Sequence, residues 1–224
     1  PLTEVIGRQL YITEFGSQIE ALSKEILSTA NLIEQTTSKY KGLVSGQLRI
    51  AAVSTGKYVM PYFLTSFAKA HPQVKIAVEV TNKNLVINSL IENTIDFGLV
   101  SVLPDLALQK IKLMDNVLHL VGGKDYFYLD KKIAARDLEK LPLIFREEGS
   151  ATRMKMENFL KKNKIHNYKS MVLTSNEAVK QAVIAGLGVS LMPLIGLRHE
   201  IASDVLSIIA CTNLPISTQW NLVW

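Results

Sequence analysis

Three loops of this sequence share a composition that suits anion binding. They are Ser54-Thr55-Gly56, the run from Glu148 to Thr152, and Thr174-Ser175-Asn176. Each places hydroxyl or amide side chains and backbone N–H groups ahead of a predicted helix, and a helix N-terminus attracts negative charge. Together they predict a site for a carboxylate or phosphate oxygen. Each loop alone fits ordinary helix capping at least as well, because Ser, Thr and Asn are preferred N-caps.

Basic side chains flank two of these loops. Arg146 and Arg153 bracket the second loop, and Lys57 follows the first. A guanidinium can bind an acid group through two parallel hydrogen bonds. For Lys57 the alternative is a solvated side chain. For the two arginines the alternative is an ion pair with a neighbouring carboxylate, namely Glu147, Glu148 or Glu157.

Strands and helices alternate through the region that carries the loops. The predicted strands are 47–53, 74–80, 95–100, 116–121, 141–145, 171–173, 188–192, 205–210 and 219–224. The predicted helices are 58–70, 85–92, 152–162 and 176–185. This alternation predicts an α/β fold with a largely parallel sheet. Ligands of such sheets gather at the carboxyl ends of strands, where Ser54, Thr55 and Ser101 lie.

The pattern restarts after residue 121, which predicts two lobes with a cleft between them. The last two predicted strands, 205–210 and 219–224, are more than the second lobe requires. We therefore expect the chain to return to the first lobe. Lobe I is predicted to hold residues 46–121 and 206–224, and lobe II residues 122–205. Because Trp224 ends a strand-like run, we expect a closing C-terminal helix to lie beyond it.

A hairpin and a long helix are predicted ahead of the lobes. Leu10 and Ile12 alternate with polar neighbours, and Thr13 occupies an N-cap position. Apolar residues then form one narrow seam with seven-residue spacing, made of Ile19, Leu22, Ile26 and Ile33. A lone helix cannot bury such a seam, so we expect it to pair with a second copy. The alternative is an amphipathic helix packed on its own domain. Residues 40–46 predict a hinge.

Composition narrows the possible classes of protein. The chain has 224 residues and a net charge of +5, but residues 1–44 carry a net charge of −1, so the helix is not itself a DNA-binding arm. No apolar run is long enough to span a membrane, and no leader peptide is recognisable, so we expect a cytoplasmic protein. One cysteine and four scattered histidines predict no metal site, and no cofactor is expected.

Enzymatic chemistry finds little support in the sequence. There is no nucleophile elbow and no phosphate-binding loop motif, and Gly186-Leu187-Gly188 follows a predicted helix instead of a strand. A transferase or deaminase would need a nucleophile, a base and an orienting group, and no such trio can be assembled. The sequence therefore predicts a protein that is not an enzyme.

Several motifs, in this order, resemble the LysR-type transcriptional regulators over nearly the whole chain. Gly7-Arg8 followed by Ile12 to Gly16 resembles that family's wing and linker-helix start, and Gly46 to Ile50 the start of its effector domain. The other matching segments are Pro61, Phe63 and Leu64, then Phe67 with His71-Pro72, then Asp96 to Val100, and finally Val179 to Pro193. Phe15 departs from the family's usual alanine.

The resemblance implies a two-lobed effector domain of the periplasmic-binding-protein type (type 2), preceded by a long linker helix. Residues 1–12 would be the remnant of a winged helix-turn-helix, with Arg8 on a wing that contacts DNA, and residues 13–45 the linker and hinge. The implied partners are a small, anionic metabolite, operator DNA through an N-terminal domain, and further copies in a homo-dimer or tetramer. No membrane partner is implied.

The expected effector contacts lie in the cleft between the lobes. They are Ser54, Thr55, Ser101, Gly149, Ser150, Thr152, Ser175 and Asn176. The alternative function is a solute-binding protein of a transporter, which shares the two-lobed design. A transport protein would have no use for a heptad helix ahead of its first strand.

Overall fold

The structure is a computed structural model that describes residues 1–40, 44–126 and 132–224. Its residues form two compact units. One holds Pro1–Leu48 with Phe67–Ile76, and the other Arg49–Ser66 with Ala77–Trp224. The centre of the predicted hinge, residues 41–43, lies outside the described residues.

Strands, helices and short 3-10 helices alternate along the chain. The strands are β1 (Thr3–Ile6), β2 (Gln9–Ile12), β3 (Gly46–Val53), β4 (Val74–Thr81), β5 (Phe97–Val100), β6 (Lys110–Gly123), β7 (Leu143–Arg146), β8 (Ser170–Leu173), β9 (Ser190–Pro193), β10 (Leu206–Ile208) and β11 (Ile216–Val223). The α-helices are α1 (Glu14–Tyr40), α2 (Met60–Ala70), α3 (Lys83–Ile91), α4 (Ala151–Lys162), α5 (Asn176–Ile184) and α6 (Arg198–Ala202). The 3-10 helices are η1 (Ser54–Tyr58), η2 (Lys124–Tyr126), η3 (Ala135–Lys140) and η4 (Leu194–Gly196).

The first unit begins with the predicted hairpin and helix. β1 and β2 pair antiparallel around Gly7, which has a φ of 67°. Thr13 caps α1, because its hydroxyl accepts a hydrogen bond of 2.9 Å from the Gly16 amide. The start of α1 lies close against the hairpin, since a Cβ on Gly16 would overlap the carbonyl of Leu2.

The largest sheet is mixed and has the strand order β10-β6-β11-β5-β3-β4, and β9 pairs with β6. The expectation of a largely parallel sheet was wrong. β3 pairs parallel with β5, and β7 with β8, but β6 is antiparallel to β9, β10 and β11. β6 runs for 14 residues, more than twice the predicted strand, and antiparallel partners line its length.

Two strands near the C-terminus show how the chain returns across the sheet. β11 pairs antiparallel with β5, as a return to lobe I requires. β10 pairs with Val121–Gly123 instead, and Leu206 packs in one buried cluster with Ile144 and Val183. The lobe boundary at residue 206 stays a prediction.

Two ends of parallel strands position the loops of interest. The backbone leaves β3 into η1, where Ser54 and Thr55 begin the 3-10 helix. It leaves β7 at Arg146 and enters α4 at Ala151. No helix in the described parts of the chain has the length and apolarity needed to cross a membrane.

Candidate functional site

Two adjoining pockets lie where these loops meet. The inner pocket has a volume of about 10 Å³ and is lined by Val53, Ser54, Thr55, Asn82, Lys83, Arg146, Ser150, Ala151 and Thr152. The outer pocket has a volume of about 330 Å³ and is lined by Lys83, Asn84, Glu148, Gly149, Ser150, Arg153, Met154 and Glu157. Lys83 and Ser150 line both, so the inner pocket adjoins the outer one.

Two hydroxyls of the inner pocket are buried and uncommitted. Thr55 is 5% exposed and Ser150 7% exposed. Ser150 has the backbone of an N-cap for α4, yet its side chain makes no capping hydrogen bond. Neither hydroxyl has a hydrogen-bond partner in the described part of the chain. Both can therefore donate to an acceptor inside the pocket.

Arg146 is a buried cation that lines the same pocket as these hydroxyls. Its side chain is 5% exposed, and it donates two hydrogen bonds of 2.8 Å to the Glu147 carboxylate and one of 2.8 Å to Ser54 Oγ. A guanidinium has five N–H donors. The Nη1 donors of Arg146 have no acceptor among the residues that the structure describes. Arg146 thus combines the ion pair with Glu147 and spare donors at the pocket.

For the other two basic candidates, the structure contains ion pairs. Arg153 Nε lies 2.7 Å from Glu157 Oε1, and Arg153 Nη2 lies 3.9 Å from Glu148 Oε1. Lys57 Nζ lies 3.9 Å from Glu177 Oε2. Arg153 lines the outer pocket, and Lys57 lines neither pocket.

Sequence reasoning missed the third side of the inner pocket, the start of α3. The Asn82 side chain caps this helix by accepting a hydrogen bond of 3.0 Å from the Leu85 amide. Lys83 follows in the first turn and has no ion-pair partner within the described ranges. A lysine there opposes the helix dipole, which disfavours cations at an N-terminus. An asparagine followed by a lysine just after a strand could have indicated this helix start. The predicted helix began at Leu85, so Lys83 was left outside it.

The structure does not gather all the predicted effector contacts in one place. Ser54, Thr55, Ser150 and Thr152 line the inner pocket, and Gly149 lines the outer one. Ser101 is buried after β5 but lines neither pocket. Ser175 caps α5 by accepting from the Ala178 amide, and the Asn176 side chain donates to Tyr58 at 3.4 Å. These last three residues stay predictions without support from the pocket geometry.

The described residues also bear on metal and thiol chemistry. Over residues 1–40, 44–126 and 132–224, no group of three or more His, Cys, Asp and Glu side chains could hold a metal ion. Cys211 is 2% exposed, and burial raises the pKa of its thiol, which lowers the fraction present as the reactive thiolate.

The sequence resembles proteins of known role over its full length. Residues 41–224 match the family model described as the LysR substrate binding domain. The transcriptional activator CmpR of Synechocystis is 32% identical over 226 residues, which cover 100% of this chain and 74% of CmpR. The regulator CbbR of Rhodospirillum rubrum is 30% identical, with 100% and 74% of the two chains covered. These relatives are transcriptional regulators, so they favour a regulator over the alternative of a transporter's solute-binding protein.

Solved structures give the same fold. The regulatory domain of Synechocystis CcmR, in complex with 2-PG, aligns with a TM-score of 0.74 and 29% identity over 80% of this chain and 86% of that one. An OxyR mutant of Corynebacterium glutamicum, bound to hydrogen peroxide, has a TM-score of 0.72 at 18% identity, covering 100% and 72% of the two chains. At that identity the second comparison supports the fold alone. The predicted two-lobed α/β effector-domain fold is confirmed.

Proposed function

Because the chain belongs to the LysR-type transcriptional regulators, we propose that the inner pocket binds the anionic group of a small effector between the two lobes. The observation that carries this proposal is the pair of buried, uncommitted hydroxyls, Thr55 and Ser150, beside the cation Arg146. The oxygens of a carboxylate or phosphate accept hydrogen bonds from such donors.

The charges around the inner pocket support an anionic ligand. Arg146 and Lys83 supply two positive charges, and Glu147 supplies one negative charge to Arg146. The amino ends of α3 and α4 both border the pocket and add the partial positive charge of their backbone amides. A neutral ligand would leave this surplus of donors and positive charge unused.

The first experiment is a thermal-shift series with small anions. We choose 2-PG as the first probe because it is the ligand in the CcmR complex, with inorganic phosphate and neutral sugars alongside. A ligand that binds only the folded state raises the melting temperature by mass action. We expect a saturable rise with 2-PG and none with the neutral sugars. A rise with neutral ligands alone would contradict the proposal.

Removing either buried hydroxyl is expected to weaken binding without unfolding the protein. Thr55→Ala and Ser150→Ala each remove one donor to a charged acceptor, an interaction worth roughly 1.5–3 kcal/mol, or about 10- to 100-fold in affinity. Titration calorimetry with 2-PG measures the loss. The matched control is Thr65→Ala, since Thr65 is exposed and bonds only to the Pro61 carbonyl. Unchanged affinity in both pocket variants would remove this site from consideration.

The remaining expectations concern the regulator as a whole. We propose that residues 1–12 are a wing remnant with Arg8 facing DNA, and residues 13–45 the linker. Lobe I would then hold 46–121 and 206–224, and lobe II 122–205. Effector binding would act on operator DNA, in the cytoplasm, through a homo-dimer or tetramer. What supports the dimer is α1, whose seam residues Leu22, Ile26 and Ile33 are 55%, 69% and 63% exposed.

The role of the seam in dimer formation can be tested by measuring the oligomeric state of a seam variant. The double variant Leu22→Glu/Ile26→Glu is expected to be monomeric at micromolar concentration. It removes apolar burial worth roughly 1.5–3 kcal/mol per side chain and adds four carboxylates to each pair of helices. Sedimentation equilibrium gives the mass. Leu27→Glu is the control, since Leu27 is 65% exposed but lies off the seam. Equal masses for the seam variant and the control would contradict the proposal.

A further inference from the structure

A second polar cluster lies in the same unit, and none of its members lines either pocket. Its anchor is Lys180 on α5, whose side chain is only 9% exposed. The Lys180 ammonium lies 3.2 Å from Glu177 Oε1 and 2.5 Å from Glu200 Oε1. In this trio, Lys180 thus gives the Glu177 carboxylate, whose side chain is 45% exposed, a charged partner at the start of α5.

All three groups of the trio are charged at neutral pH. Burial alone would raise the pKa of Glu177, but hydrogen bonds from Gln181 and Lys180 bring it below its ordinary value. Burial likewise opposes the charge on Lys180, yet the hydrogen bond to Glu200 raises the pKa of Lys180. The pKa of Glu200 is lowered in the same way. A charged, anchored carboxylate is therefore available to a group that approaches from the other side.

That group is the end of η1. Tyr58 donates its hydroxyl hydrogen to Glu177 Oε2 at 3.4 Å, and Lys57 Nζ lies 3.9 Å from the same oxygen. Asn176 donates to the Tyr58 hydroxyl at 3.4 Å. The Tyr58 ring packs on Gly196, where an added Cβ would lie 2.5 Å from the ring carbon Cε2. Glu177 thus joins an element of the first lobe to the second.

The two sets of contacts differ in strength. The Lys180 ammonium lies 2.5 and 3.2 Å from its two carboxylate partners, whereas the contacts of Glu177 to η1 measure 3.4 and 3.9 Å, at the long end of hydrogen-bond and ion-pair geometry. Long, partly exposed contacts contribute little and break readily. We therefore expect the Glu177 carboxylate to keep its contact with Lys180 when the weaker contact with η1 breaks.

The position of η1 determines what this contact does. η1 has five residues, with Ser54 and Thr55 at its beginning and Lys57 and Tyr58 at its end. Ser54 is also held by the hydrogen bond from Arg146, so we expect the start of η1 to depend on contacts at both ends of this short element. We propose that Glu177 is a positioning residue for the effector site. By holding Tyr58 it keeps Ser54 and Thr55 opposite Ser150 and Arg146. The inference rests on the proposed function and concerns its regulation.

The test uses Tyr58→Phe, which removes one hydroxyl and leaves the trio on lobe II intact. Tyr62→Phe is the control, because Tyr62 is 81% exposed on α2. Titration with 2-PG is expected to give a dissociation constant roughly 2- to 5-fold higher for Tyr58→Phe, because the lost contact is long and partly exposed. Amide hydrogen exchange of residues 54–58 without ligand is expected to be faster by a similar factor.

A double variant separates positioning from general loosening. Tyr58→Phe/Glu177→Met should show no larger effect than the stronger single variant, because each change removes one partner of the same hydrogen bond. Gly196→Ala, which displaces the Tyr58 ring, should act in the same direction. If Tyr58→Phe matches Tyr62→Phe in exchange and in binding, or if the two effects simply add, the inference is overturned. If the unaltered protein binds no anion, the proposed function fails, while the exchange comparison still decides whether Glu177 holds η1.

Discussion

Replacing Arg146 with methionine is expected to reduce the affinity for 2-PG by at least about 100-fold, because it removes the buried cation of the inner pocket and exposes the ligand to Glu147. The same change should lower the free energy of unfolding by about 3 kcal/mol, since breaking a buried pair leaves an uncompensated charge. We expect a value near the low end of the roughly 3–5 kcal/mol that breaking a buried ion pair costs. The reason is that the Glu147 side chain is 20% exposed, so its charge is partly solvated. Titration calorimetry and urea unfolding measure the two effects.

A double variant distinguishes loss of binding from loss of folding. In Arg146→Met/Glu147→Met both charges are gone, and such replacements by apolar side chains are often neutral for stability. We expect its unfolding free energy to return toward that of the unaltered protein while binding stays lost. Arg146→Met with unimpaired affinity for 2-PG would show that Arg146 is only a structural partner of Glu147.

The second large effect is expected at Lys83, where binding and stability should change in opposite directions. Lys83→Met removes the pocket's unpaired cation, which we expect to cost about 10- to 100-fold in affinity for 2-PG. It also removes a positive charge from the first turn of α3, which should raise stability by roughly 0.3–1 kcal/mol. Calorimetry and urea unfolding at low ionic strength give both values.

Lys161→Met is the matched control for Lys83. Lys161 is exposed in the last turn of α4, where a cation favours the helix dipole. Its removal should lower stability slightly and leave the affinity unchanged. Equal losses of affinity in the two variants would mean that Lys83 acts only through the overall charge of the protein. A Lys83→Met protein that binds normally would exclude the residue from the site.

Local sequence patterns were sufficient to predict much of the fold. The cap at Thr13, the buried strand ending at Val53 and the helix that follows Ser150 all depend on residues adjacent in sequence. The direction in which strands pair does not depend on adjacent residues alone. β6 has antiparallel partners from residues 190–193, 206–208 and 216–223, and no pattern within β6 specifies which segments pair with it.

The candidate site could be predicted only in part, because some of its features are local in sequence and others depend on tertiary contacts. Hydroxyls beside helix starts are visible in sequence, so Thr55 and Ser150 could be named. Whether a hydroxyl is free or committed depends on its local geometry. Ser150 leaves its oxygen uncommitted, whereas Ser175, in the same kind of position, uses its oxygen to cap α5. Lys83 was missed because its role depends on packing beside residues more than sixty positions away.

The small volume of the inner pocket has a consequence for the timing of the response. About 10 Å³ holds roughly one water molecule and no phosphate or carboxylate group. Under the proposed function, the residues that line the inner pocket have to move apart before the anionic group of an effector can enter, so we expect the observed association rate to level off at the opening rate as ligand concentration rises. Release must pass through the same opening. If the proposed site is correct, we expect the regulator to respond to the average effector level over the lifetime of the ligand-bound state, and not to shorter fluctuations.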